Sequence, residues 1–206
     1  MIGEPLLRLR AKRLTGKITV PILIEDGVVI EGSLRIARHA DGNLFPEGLE
    51  GDIESWNELA EEAMIVARKF VVARTAESED ILRASLPKAL RNVPGALASA
   101  RMGTAFFRRK YELDAMDSSK DAIVRFLDRL RQAVKAHPFV LGTAFTYADI
   151  VAATTLQCVR PAKREHWKIS DGLRPAWTDE ELAAKYEDLL AWRDDVFSRF
   201  RKPASP

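Results

Sequence analysis

Apolar residues alternate with other residues in the first part of the chain, and they recur at spacings of three and four in the rest. Between Lys17 and Ile30, β-branched apolar residues alternate with other residues, and Asp26-Gly27 interrupts the run. Alternation with a period of two is typical of a half-buried strand, and Asp-Gly favours a type I′ hairpin turn because it tolerates two positive φ angles. The pattern predicts two antiparallel strands, followed by a helix that begins at Ser33.

Glycine and proline interrupt the chain after this first unit, at Gly42, Pro46, Gly48 and Gly51. Such residues break regular structure, so residues 43–51 are predicted to form a linker. Residues 1–42 then make up one unit and residues 52–206 a second one. The sequence therefore predicts a mainly α-helical protein with a small α+β part.

Beyond the linker, apolar residues recur at spacings of three and four, which is typical of helices with one buried face. The longest example carries Trp56, Ala60, Met64 and Val71 on one side. The predicted helices cover residues 52–75, 96–112, a segment from 118 to about 137, a segment after 146, and 179–200, with short helices between 76 and 95.

Capping sequences mark three of these helix starts. Thr146 precedes Asp149 by three residues, which predicts a capping box in which each side chain satisfies a backbone N–H group. Thr178 opens a similar sequence and is predicted to cap the last helix. Ser118, three residues before Asp121, is predicted to begin the helix before them. These are folding features and do not indicate catalysis.

Composition excludes several classes of function. The chain has 32 basic and 30 acidic side chains, a net charge of +2, which gives no general case for a nucleic-acid partner. Its one cysteine permits no internal disulfide and suits a reducing compartment. The apolar runs are broken by charged residues, so no membrane span is predicted. We expect a cytoplasmic protein.

No metal or nucleophile site is indicated by the remaining candidates. His39, His137 and His166 are scattered along the chain, without carboxylates or thiols at the spacing of a metal site. Cys158 lies in an apolar helical segment and is predicted to be a buried small apolar residue. The sequence also contains no glycine-rich phosphate loop and no nucleophile elbow.

Several short motifs, in their order and spacing, resemble the glutathione S-transferase family. Val20-Pro21 is similar to the family's Val-Pro pair, whose proline peptide bond is cis. The segment from Val28 to Ile36 resembles the family's passage from strand to helix, and residues 142–150 resemble its capping box. The resemblance covers nearly the whole chain from Lys17 onward. It implies part of a thioredoxin-like domain, an all-helical domain and a homodimer.

The resemblance also implies a glutathione site formed by Val20, Pro21, Ser33 and Glu31. The Val20 backbone would pair with the cysteinyl unit, and Ser33 would hold the γ-glutamyl carboxylate at a helix N-terminus, where free N–H groups favour an anion. The family usually has an acidic or amide residue directly before the serine to help hold the γ-glutamyl amine. Here Gly32 occupies that position, and Glu31 is one residue earlier. Without the resemblance, Ser33 fits an ordinary helix cap and Pro21 an edge-strand proline.

A second-substrate pocket is implied between the two units, lined by the first long helices of the helical domain. Its candidate residues by position are Trp56, Met64, Phe106, Phe107 and Tyr111. For each of them, packing in the core is the alternative. The substrate implied is a small electrophile.

The start of a thioredoxin-like domain is not evident in the sequence. A strand, a helix and a second strand before the proline need roughly 40 residues or more, and 20 residues precede Pro21. The family's catalytic Tyr, Ser or Cys lies in that part, so no catalytic residue is assigned. Either the gene begins further upstream, or the apolar edge at Ile18–Ile24 is covered by Leu6–Leu14 or by another chain.

Three functional hypotheses follow. The first is an enzyme that binds glutathione as co-substrate and conjugates it to an electrophile. The second is a non-catalytic binding or assembly module with the same fold. The third is a redox role in which glutathione forms a mixed disulfide, for which Cys158 is the one thiol in the chain.

Overall fold

The fold is given by a computed structural model, which describes residues 13, 16, 21–110 and 119–201 but not the side chains of residues 107, 108 and 110. Two short strands are followed by helices. The strands are β1 (Ile22–Glu25) and β2 (Val28–Glu31). The helices are α1 (Ser33–Ala40), α2 (Glu50–Glu77), α3 (Glu79–Ser85), α4 (Ala96–Lys110), α5 (Asp121–Ala136), α6 (Tyr147–Thr155), α7 (Arg174–Trp177), α8 (Glu180–Lys185) and α9 (Glu187–Phe200). The predicted mainly helical fold with a small α+β part is confirmed.

Strands β1 and β2 form the predicted antiparallel hairpin. Asp26 and Gly27 have φ angles of 48° and 78°, so both residues of the turn are left-handed, as a type I′ turn requires. Ile24 and Val28 are exposed, and within the described residues the sheet has two strands. The leucines of the segment Leu6–Leu14, which is one of the alternatives for covering this edge, lie outside the described residues.

Helix α1 starts from a glycine with unusual backbone geometry. Gly32 has φ 86° and ψ 144°, a region that residues with a side chain rarely adopt. Its N–H group donates to the carbonyl of Pro21 at 3.2 Å, which ties the beginning of the hairpin to the beginning of α1. Leu34 and Ala37 pack against the main core. The 3.1 Å ion pair from Arg38 to Glu54 joins α1 to α2.

Helix α2 is the central element of the fold. Its 28 residues extend for roughly 42 Å at the usual helical rise. It begins at Glu50, inside the predicted linker, and ends two residues later than predicted. It packs against α5 and α6, and the face that it buries is rich in alanine: Ile53, Trp56, Asn57, Ala60, Ala63, Ala67 and Val71. Small side chains on this face let the neighbouring helices approach closely.

The last predicted helix differs from the structure in two ways. It is divided into α8 and α9 at Tyr186, which has non-helical angles, is buried, and donates its hydroxyl hydrogen to Asp128 at 2.7 Å. The cap of α8 is Asp179 rather than Thr178, because Asp179 accepts the N–H of Leu182 at 3.3 Å. The prediction of one continuous helix capped by Thr178 is therefore wrong.

Asp179 is fixed by two cations from other parts of the fold. Its carboxylate lies 2.6 Å from the guanidinium of Arg74 on α2 and 2.8 Å from the ammonium of Lys120, before α5. Burial alone would raise the pKa of Asp179, but Lys120, the Leu182 N–H and Arg74 outweigh it and lower the pKa. This anchoring explains why the cap falls one residue later than the sequence pattern predicts.

The start of α5 is only partly described. Ser118, the predicted first residue of its cap, lies outside the described residues. Lys120 is the N-cap, and the hydroxyl oxygen of Ser119 accepts the N–H of Asp121 at 3.0 Å. Of the helices that the structure describes, none is both long enough and apolar enough to cross a membrane.

The predicted capping box at the start of α6 is present. Asp149 is completely buried, and its carboxylate accepts the N–H of Thr146 at 2.8 Å and the Thr146 hydroxyl at 3.2 Å. It also accepts the N–H of Val140 at 2.7 Å, which fixes the preceding loop against the helix. Burial raises the pKa of Asp149, although these hydrogen bonds oppose the shift.

We expect Asp149→Ala to lower the free energy of unfolding by about 2–4 kcal/mol, because three buried donors would lose their acceptor. Urea denaturation followed by circular dichroism measures the loss. Asp80→Ala, in the exposed first turn of α3, is the control and should change stability by less than about 0.5 kcal/mol. Equal, small effects of both variants would contradict this role of Asp149.

Candidate functional site

A cleft of about 510 Å³ lies between the hairpin–α1 unit and the helices α2 and α6. Pro21, Gly32 and Ser33 border it on the first side. Residues of α2 between 57 and 68 and residues of α6 between 147 and 155 form the other walls. A concave space of this size is typical of small-molecule sites. It lies between the two units, where the family resemblance implies a second-substrate pocket.

The N-terminus of α1 opens into this cleft. Gly32 is the N-cap and makes no side-chain cap, and Ser33 is the first helical residue. The N–H of Ile36 is the first to find a carbonyl partner, that of Gly32 at 3.1 Å. The N–H groups of residues 33–35 thus remain free of helical partners, and with the helix dipole they favour an anion. The alternative interpretation of Ser33 as an ordinary helix cap is wrong.

The α2 wall carries polar side chains at helical spacing. Asn57 is 9% exposed and donates its amide hydrogen to the carboxylate of Glu61 at 3.0 Å. Arg68 lies two turns further along the same wall. Among the described residues that line the cleft, Glu61 is the one acidic side chain and Arg68 the one basic side chain. The wall therefore presents one charge of each sign, seven residues apart.

The α6 wall contributes a buried tyrosine. Tyr147 is 5% exposed, and its ring stacks on Phe45 with centroids 5.3 Å apart. Its hydroxyl forms no hydrogen bond with any described residue. Burial raises the pKa of Tyr147, and the negative charge of Glu61 adds to the shift. The phenol is therefore protonated at neutral pH and offers both a donor and an acceptor to the cleft.

A methionine and the buried cysteine are in contact at the α2 wall. Met64 lines the cleft, and its sulfur lies 3.1 Å from the thiol sulfur of Cys158. Cys158 is 7% exposed, which confirms the prediction that it is buried. Burial raises the pKa of the Cys158 thiol to about 12, although Arg68 and Arg74 oppose the shift. The thiol is thus protonated and enclosed at neutral pH, unlike a reactive nucleophile.

The structure brings Pro21, Ser33 and Met64 together at the cleft. Glu31 lies at the end of β2, opposite Ile22, and outside the described lining of the cleft. Val20 lies outside the described residues, so its proposed pairing with glutathione stays a prediction.

Two of the other second-substrate candidates, Trp56 and Phe106, lie away from the cleft. Trp56 is in the core, where its ring meets Phe126 edge-on at 6.3 Å. Phe106 is on the exposed side of α4, 55% exposed, and does not border the cleft. The side chain of Phe107 is not described, and Tyr111 lies outside the described residues. Of the three candidates whose side chains the structure describes, Met64 is the one at the cleft.

Sequence reasoning missed Asn57, Glu61, Arg68 and Tyr147 as residues of the site. One signal was available: Asn57 is a polar residue on the otherwise apolar face of α2. The position of Tyr147 directly after the capping threonine gave no hint of a cleft. In the part of the chain that the structure describes, no group of three or more His, Cys, Asp or Glu side chains is arranged to hold a metal ion.

Residues 111–195 match the family model of the glutathione S-transferase C-terminal domain. The match includes α5 to α8 and most of α9, and it confirms the family resemblance for this part of the chain, which contains the capping box at residues 142–150. Of the cleft walls it covers α6 with Tyr147, whereas α1 and α2 precede the matched residues. No curated protein and no solved structure matches the chain.

We expect the Cys158 thiol to react with a disulfide reagent such as dithionitrobenzoate far more slowly in the native chain than in urea, because the native thiol is enclosed and protonated. Since the chain has a single cysteine, absorbance of the released thiolate at pH 8 reports this site alone. The urea-unfolded chain is the control. Rapid, stoichiometric reaction of the native chain would contradict the assignment and revive the redox hypothesis.

Proposed function

We propose that the cleft binds glutathione and presents its thiol to a small electrophile, because residues 111–195 match the family model of the glutathione S-transferase C-terminal domain. The observation that carries the proposal is the position of the α1 N-terminus, which opens into a cleft shared with α2 and α6. Glutathione fits such an arrangement, because the free N–H groups of residues 33–35 can bind the α-carboxylate of its γ-glutamyl unit.

Ser33 has a specific role in this proposal. Its hydroxyl is exposed in the cleft and makes no cap for its own helix, so it is available to a ligand. A hydroxyl donor beside the free N–H groups would add a charge-assisted hydrogen bond to the γ-glutamyl carboxylate. Pro21 and the segment before it would face the cysteinyl unit, as the family resemblance implies.

Activation of the thiol needs stabilisation of the thiolate by the site. Each unit by which the thiol pKa falls corresponds to about 1.4 kcal/mol. Among the described residues of the cleft, the protonated phenol of Tyr147 and the guanidinium of Arg68 are sources of such stabilisation.

We expect the 206-residue chain to bind glutathione in a calorimetric titration at pH 7, and Ser33→Ala to weaken that binding about tenfold by removing one hydrogen bond to a charged group. The matched control is Ser78→Ala, since Ser78 caps α3 and lies outside the described lining of the cleft. Turnover of 1-chloro-2,4-dinitrobenzene with glutathione then tests conjugation. Absence of binding would contradict the proposed function, whereas binding without turnover of a broad panel of electrophiles would favour a binding module.

An assembly module with this fold is the second candidate, and one surface favours it. Met102 and Phe106 are one turn apart on α4 and are 74% and 55% exposed. Leu90 and Val93, in the segment before α4, are also exposed. Large exposed apolar side chains one turn apart on a helix often mark a protein contact. The occupant that we propose is a second copy of the chain, because the family resemblance implies a homodimer.

We expect light scattering to give twice the chain mass of 23.1 kDa, and the double variant Met102→Glu, Phe106→Glu to shift the population toward monomer, because two charges would be buried at the contact. The control is Phe200→Glu, an exposed aromatic residue on α9, which should leave the dimer intact. A monomeric wild-type chain at all concentrations tested would exclude this surface as a stable homodimer contact.

A further inference from the structure

The chemistry of glutathione places a demand on the cleft that the α1 N-terminus cannot meet. The γ-glutamyl group carries an α-carboxylate and an α-ammonium on the same carbon atom. If the carboxylate lies at the free N–H groups of α1, the ammonium lies beside it. A cation is disfavoured near the positive end of a helix dipole, and a partly desolvated ammonium needs an acceptor or a negative charge close by.

Gly32 cannot provide that charge, since it has no side chain. Among the described residues that line the cleft, the acidic side chain is Glu61, on the α2 wall. A guanidinium nitrogen of Arg38 on α1 lies 3.1 Å from a carboxylate oxygen of Glu54 on α2, so the two helices are neighbours at this point. On α1, Ser33 lies five residues before Arg38, which is about 7.5 Å along the helix. On α2, Glu61 lies seven residues after Glu54, which is about 10.5 Å along the helix. Both border the cleft, so the α1 N-terminus and the Glu61 carboxylate face the same space.

The surroundings of Glu61 suit a cation. Asn57, which is itself buried, donates a hydrogen bond to one carboxylate oxygen and so holds the group in place. The nearby phenol of Tyr147 is buried, lacks a hydrogen-bond partner among the described residues, and has an oxygen that can accept from an ammonium. Glu61 makes no ion pair with any described residue, whereas its neighbour Glu62 is paired with Arg125 at 3.2 Å.

We propose that Glu61 recognises the γ-glutamyl ammonium of glutathione, in place of a residue next to Ser33 in the chain. This inference rests on the proposed function, because it assigns a residue within the same site. It makes Glu61 a specificity-determining residue: a ligand that keeps the carboxylate and lacks the ammonium gains nothing from it. The Glu61 carboxylate is therefore expected to increase the affinity only for ligands that carry the γ-glutamyl ammonium.

Calorimetry at pH 7 with the 206-residue chain tests this expectation with two ligands. One is glutathione, and the other is glutaryl-cysteinyl-glycine, which differs from it only by lacking the α-ammonium. We expect the wild type to bind glutathione about tenfold more tightly, as a hydrogen bond between charged groups allows. Glu61→Gln should weaken glutathione binding about tenfold and leave the binding of the analogue unchanged, so the ratio falls to about one.

Glu62→Gln is the matched control, because Glu62 is the next residue, is exposed, and lies outside the described lining of the cleft. It should keep the wild-type ratio. The proposal is overturned if the wild type binds the two ligands equally, or if Glu61→Gln leaves the ratio unchanged. Absence of any glutathione binding by the wild type would overturn the proposed function and this inference together, so the two failures are distinguishable.

Discussion

The buried carboxylate of Asp149 is the interaction on which the rest of the structure depends. It satisfies donors at the start of α6 and in the loop before it, including the N–H of Val140. A carboxylate with no exposed surface is expensive to bury, and only a full set of donors offsets that cost. Because these bonds set where α6 begins, they also set the position of Tyr147, whose ring rests on Phe45 and whose hydroxyl faces the cleft.

Helix α2 carries the core and the cleft on adjoining faces. Its buried face packs on α5 and α6, and Ala60 contributes to both the core and the cleft. Short side chains there bring α6 close, and the polar residues Asn57, Glu61 and Arg68 then line the gap that remains beside α1. The apolar packing that stabilises the fold thus determines how far apart the walls of the cleft lie.

The features that the sequence predicts well are those with local causes. The turn at Asp26-Gly27 needs positive φ angles at neighbouring positions, and the box at Thr146 and Asp149 is complete within four residues. The features that it missed depend on distant partners. Tyr186 interrupts the last helix where its hydroxyl reaches Asp128 on α5, and Asp179 becomes a cap where Arg74 and Lys120 hold it.

The same distinction applies to the candidate site. The sequence indicates Ser33 because a helix start is a local signal, whereas Glu61 is a candidate only because α1 and α2 border one cleft in the folded chain. The backbone geometry of Gly32 gives a reason why an acidic side chain on α2 suits the site better than one at position 32. A side chain at position 32 would have open space around it, but its φ of 86° would cost about 1–3 kcal/mol in strain. A carboxylate on the facing helix carries no such strain, so in this chain an acidic group can serve the site without distorting the start of α1.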